Sequence, residues 1–85
     1  MSTTFQTAVR KAVSDTNRRD AIDRLVREGE RTNLGIIVRM NGLRGTFRRQ
    51  ALTGLATCNG SDELETLAED TTIDPSLRRR ARELC

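Results

Sequence analysis

Arg48-Arg49-Gln50-Ala51-Leu52-Thr53-Gly54-Leu55 is the middle one of three copies of a single pattern. Thirty residues upstream stands Arg18-Arg19-Asp20-Ala21-Ile22-Asp23-Arg24-Leu25, and thirty downstream Arg78-Arg79-Arg80-Ala81-Arg82-Glu83-Leu84-Cys85. A second element recurs between them, where Leu34, Ile37 and Val38 match Leu64, Leu67 and Ala68. Apolar residues three and four apart line one face of a helix. A fixed period of roughly 20–50 residues marks an architecture in which each unit buries its apolar face only against its neighbours. The spacing thus predicts an all-α chain of five or six helices forming a single domain over residues 1–85.

Working outward from that pattern, Phe5, Ala8, Val9, Ala12 and Val13 give the apolar stripe of a first helix over about residues 3–14. Asp15-Thr16-Asn17 supplies a break and a cap, and a second helix over 17–28 stops at Gly29. Further helices are expected over about 31–40, 46–57 and 62–70, the last of these capped by Ser61 or Asp62. Asp74-Pro75 opens a final helix, since proline at the first helical position sacrifices no hydrogen bond. Leu25, Leu34, Ile37, Leu52, Leu55, Leu64 and Leu67 are expected to be buried together, and Cys85, in phase with Leu25 and Leu55, to be a buried thiol.

Leu34-Gly35-Ile36-Ile37-Val38 competes with this reading, because it is β-branched and Asn41-Gly42 follows as a strong hairpin signal. The thirty-residue phase decides against a hairpin. It aligns 34–38 with Leu64-Glu65-Thr66-Leu67-Ala68, a plainly helical sequence, and leaves Asn41-Gly42 as a helix terminator.

Composition narrows the function classes. The 85 residues include no His, so no His-based triad, acid–base pair or common zinc site can form. No phosphate-binding glycine loop is present, because Asn41-Gly42-Leu43-Arg44-Gly45 lacks the closing Gly-Lys-Ser/Thr. The expectation is a non-enzyme with no cofactor and no bound metal. No run of 18 apolar residues and no basic-then-apolar start occurs, which predicts a cytoplasmic chain that does not enter a membrane. The net charge of +3 hides a segregation along the chain. Residues 1–50 hold eleven basic and five acidic side chains, residues 51–76 none and six, and the rest four and one. Such a layout selects partners by local potential.

From Phe47 to Cys85 the chain resembles the HEAT-like repeat family, especially the short thirty-residue type found in bilin lyases. The matching residues are Arg48-Arg49-x-Ala51-Leu52-x-x-Leu55, Asp62-Glu63-Leu64-x-x-Leu67, and Asp74-Pro75-x-Leu77-Arg78-x-x-Ala81. The resemblance implies a short right-handed α-solenoid of about two and a half repeats, with B helices lining a concave face that binds another macromolecule. It implies Asp–Arg contacts of Asp74 with Arg78 and of Asp15 with Arg18 or Arg19. Arg82 replaces the apolar Ile22 and Leu52 of the earlier copies, which is expected to end the stack; two and a half repeats leave ends that self-association would cover.

Two surfaces are expected to bind. A protein partner would lie across the outward positions of the B helices, carried by Arg10, Gly35, Ile36, Arg39, Glu65 and Glu69, a strip running from basic to acidic over a small apolar centre. The alternative is a nucleic-acid phosphate backbone held by Arg10, Lys11, Arg18, Arg19, Arg44, Arg48 and Arg49. The acidic stretch and the scarcity of aromatics for base stacking count against that alternative. For self-association, Phe5, Ile36 and the faces of the end helices are the apolar candidates.

Overall fold

A computed structural model describes residues 3–85, which form six helices and, among the described residues, no strand. They are α1 (Thr3–Val9), α2 (Asp15–Arg27), α3 (Arg31–Val38), α4 (Gly45–Thr57), α5 (Ser61–Ala68) and α6 (Pro75–Leu84). Leu34 to Val38 is helical, and Asn41-Gly42 lies in the turn ahead of α4.

The thirty-residue period reaches the helix boundaries. α2, α4 and α6 begin at residues 15, 45 and 75, and α3 and α5 at 31 and 61. Ser14, Arg44 and Asp74 are therefore equivalent N-caps, and of these the Ser14 hydroxyl accepts from the Asn17 N–H. The ends repeat as well. α2 is closed by Gly29 at φ +67° and α4 by Asn59 at φ +63°, the left-handed conformation these two residue types adopt most readily. In each case the next residue's N–H reaches back five residues, Glu30 to the Leu25 carbonyl and Gly60 to that of Leu55.

α1 and α2, α3 and α4, and α5 and α6 pack as pairs; α2, α4 and α6 lie side by side in that order, and α3 lies against α5. One apolar cluster joins them all and contains Leu25, Leu34, Ile37, Leu52, Leu55, Leu64 and Leu67, each at most 1% exposed. Leu43 and Ile73, each one residue ahead of an N-cap, seal its edge. The close approach of α2 and α4 depends on Gly54, where a Cβ would fall 2.3 Å from the Val26 Cγ2 methyl.

Three expectations are corrected. α1 stops at Val9 rather than near residue 14: the Arg10 N–H still bonds the Gln6 carbonyl, and the Arg10 carbonyl accepts from the Arg18 guanidinium. Cys85 is exposed: α6 ends at Leu84, so Cys85 lies past its helix, whereas Leu25 and Leu55 lie inside theirs. Phe5 is buried at 5% exposure, which removes it from any contact surface. Cys58 is half-buried, and both thiols are free. No helix among the described residues is long and apolar enough to cross a membrane.

Candidate functional site

The expected protein-binding strip divides into contact positions and supports. On α3, Ile36 is 39% exposed, the exposed large apolar side chain among the described residues. Glu65 and Glu69, at and beyond the matching register of α5, are exposed and make no ion pair among the described residues, and Arg10, past the end of α1, is exposed too. Gly35 is not outward: it is buried, and a Cβ there would sit 3.2 Å from Glu63 Oε2 and 3.3 Å from Arg39 Nη1. Its role is to let those two side chains close over the helix.

Arg39 is half-buried and tied down. Its Nε–H donates to Asp70 Oδ2 at 2.8 Å, linking α3 to the turn that follows α5. The other oxygen of Asp70 accepts from the Thr72 N–H at 2.8 Å and from the Thr72 hydroxyl at 2.5 Å. These bonds stabilise the ionised form, and with Arg39 they hold the Asp70 carboxyl down at about 2. Asp70 was not singled out in the sequence. Asp70-Thr71-Thr72 is nevertheless an Asx-turn pattern, in which the carboxylate binds the N–H two residues on.

The basic candidates separate in the same way. Arg18 is 9% exposed, with its guanidinium 5.3 Å from the Phe47 ring centre; Arg44 lies 5.1 Å over the same ring. Arg44 also pairs with Asp15 across the α2–α4 contact, and this bond holds the Asp15 carboxyl below its ordinary range. Arg48 has a side chain 11% exposed and pairs with Asp74 at 3.5 Å. The acids expected to meet Arg18, Arg19 and Arg78 thus bond instead to arginines of α4 and its cap. The Nε–H groups of Arg18 and Arg48 are buried without a hydrogen-bond partner among the described residues, as fits stems that cover apolar neighbours rather than present their heads. Arg10, Lys11, Arg19, Arg44 and Arg49 are exposed, Arg44 with its head on Asp15, and Arg79 shares the register of Arg19 and Arg49.

A cleft of about 580 Å³ opens between the first turns of α3 and α5, lined among others by Glu30, Arg31, Asn33, Asp62 and Glu63. Its polar groups are partly engaged with one another: Asn33 donates to Glu30 at 2.8 Å, and Arg31 reaches the Cys58 and Asn59 carbonyls at 3.4 Å. Among the described residues no group of three or more Cys, Asp or Glu side chains is placed to hold a metal ion. No protein-family model matches the sequence, and no curated protein and no solved structure matches it either.

Proposed function

We propose that the chain is a non-catalytic interaction module, a short right-handed α-solenoid of about two and a half HEAT-like repeats, which binds a protein partner across α1, α3 and α5. The observation that carries this reading is Ile36, an exposed aliphatic side chain beside α5, where Glu65 and, just past the helix, Glu69 make no ion pair among the described residues. The identical spacing of helix starts and of left-handed turns supports the repeat reading. The partner that suits the strip is an amphipathic helix or peptide with one apolar anchor flanked by Lys or Arg. A carboxylate held near 2, as Asp70 is, makes a poor base at neutral pH, so its hydrogen bond from Thr72 supports a positioning role rather than an acid–base one.

Affinity purification with the parent chain and with an Ile36→Asp/Glu65→Lys/Glu69→Lys variant tests this. All three sites are exposed, so the variant should keep its circular dichroism spectrum and thermal midpoint. A direct partner of this face should bind it at least about tenfold more weakly, as expected when an apolar anchor and its charge complementarity are both lost. A partner set identical for the two proteins would overturn the assignment.

A further inference from the structure

Charge in this molecule is sorted by helix set as well as along the chain. α2, α4 and α6 hold four, two and four arginines against three, none and one carboxylates. α1, α3 and α5 hold none, one and none against none, none and three. Half of the acidic stretch that counted against a polyanionic ligand, Asp62, Glu63 and Glu65, belongs to α5, whereas most of the arginines belong to the side-by-side row α2, α4, α6.

Within that row one register is repeated. Arg19, Arg49 and Arg79 each occupy the fifth position of their helix, are exposed, and form no ion pair among the described residues. Between α2 and α4 the register is held by Gln50, next to Arg49, which donates to the Arg19 carbonyl at 3.0 Å and to Asp23 at 2.8 Å. Nearby carboxylates are largely occupied, since Asp15 and Asp74 face Arg44 and Arg48, and Asp23 faces Gln50; Asp20 stays exposed beside Arg19. Adjacent packed helices lie about 8–10 Å apart, so the three guanidinium groups span roughly 20 Å.

We propose that the Arg19–Arg49–Arg79 row binds the phosphate backbone of double-stranded nucleic acid, without base readout. A roughly 20 Å line of exposed cations matches about six nucleotides of one strand at ~3.4 Å each. Guanidinium groups grip phosphate oxygens in pairs, which a line of ammonium groups would not. Both phenylalanines are buried, at 5% and 1% exposure, so no aromatic platform is available for the stacking that single strands use. This site lies on the helix row away from Ile36, Glu65 and Glu69, and its residues only partly coincide with those the sequence pointed to: Arg18, Arg44 and Arg48 serve the fold, and Arg79 joins.

The test is fluorescence anisotropy of a labelled duplex of about 20 base pairs and random sequence, titrated with the full chain between about 20 and 200 mM KCl. Neutralising three phosphates predicts a slope of log K against log salt of about −2.7. An Arg19→Ala/Arg49→Ala/Arg79→Ala variant should bind at least about tenfold more weakly at the lowest salt and show a flatter slope; the corresponding triple Lys variant should keep most of the slope. Ile36→Asp should change neither, which separates this site from the protein-binding face. Absence of binding at the lowest salt would overturn the proposal. So would a triple Ala variant that binds like the parent while keeping its melting curve, or competition by poly-glutamate as effective as by duplex at equal charge, which would assign the row to an acidic protein.

Discussion

Asp70 concentrates more bonds than any neighbouring carboxylate, and its consequences can be measured. Its carboxyl is held at about 2 by the Thr72 hydroxyl, the Thr72 N–H and Arg39, below the ordinary 3.8. A carboxyl with a lowered folded-state pKa stabilises the fold above the unfolded value, and that stabilisation disappears as pH falls through the folded value. The contribution is therefore complete above about pH 4 and is lost between about pH 4 and pH 2. In Asp70→Asn the thermal midpoint should be lower than the parent's at pH 7, and the difference should close on acidification to pH 2. Parallel melting curves for the two proteins across that window would refute the assignment. Gly54 makes a steric claim at the same scale. A Cβ 2.3 Å from a Val26 methyl cannot be accommodated without moving α2 from α4, so Gly54→Ala should cost about 1–3 kcal/mol despite alanine's better helix propensity. Adding Val26→Ala removes the methyl in question; if the double variant is no more stable than Gly54→Ala alone, the clash is not the cause.

The turns between elements carry the repeat as firmly as the helices do. Gly29 holds φ +67° with no atom within 4 Å of where a Cβ would stand, so a side chain there would meet strain from the backbone alone. Gly29→Ala should lower stability by about 1–2 kcal/mol, read from urea denaturation with an unchanged slope. A neutral result would mean that the turn relaxes out of the left-handed region. These turns were legible because Gly and Asn announce them, and the helices because apolar residues recur at fixed phase. The end of α1 was not legible. Just beyond it the Arg10 carbonyl accepts from an arginine eight residues away in the chain, a tertiary contact that leaves no mark in local periodicity. The same limit explains the acid–arginine pairs. Resemblance suggested Asp74 with Arg78 and Asp15 with Arg18 or Arg19, yet Asp15 and Asp74 bond to Arg44 and Arg48, because side-by-side packing of α2, α4 and α6 sets an acid against a neighbouring helix rather than its own. For the candidate sites, pattern identified outward positions such as Ile36 and Glu65, but not that Gly35 lies beneath two long side chains, nor that three of the seven basic candidates hold the fold together.

The molecule as a whole is nearly as broad as it is long, 30 × 24 × 19 Å, with a radius of gyration of 11.6 Å, close to the ~12 Å of an ordinary globule of this length. Six short helices therefore expose helix faces that a longer array would cover, and opposite charges lie on different helix sets within one small body. The α5 carboxylates of one copy complement the arginine row of another. A contact between two different surfaces is heterologous, so it does not close at two copies unless a two-fold arrangement brings both surfaces into reciprocal register. Exposed ion pairs contribute ~0–1 kcal/mol each and are screened by salt. With Phe5 buried, Ile36 is the large aliphatic side chain left to support the contact, too little to hold it once charge is screened. Light scattering at millimolar protein and about 20 mM salt should thus give an average mass above the monomer that rises with concentration and returns to the monomer by about 300 mM salt, about twice physiological ionic strength. Glu65→Lys with Glu69→Lys should abolish the effect, because it reverses the acidic side of the contact while leaving the arginine row intact. Adding duplex should compete for that row and dissolve the association at constant salt. A strict monomer under the low-salt conditions would show that the two surfaces do not meet; association that survives 300 mM salt would transfer the contact from charge to Ile36 and its surroundings.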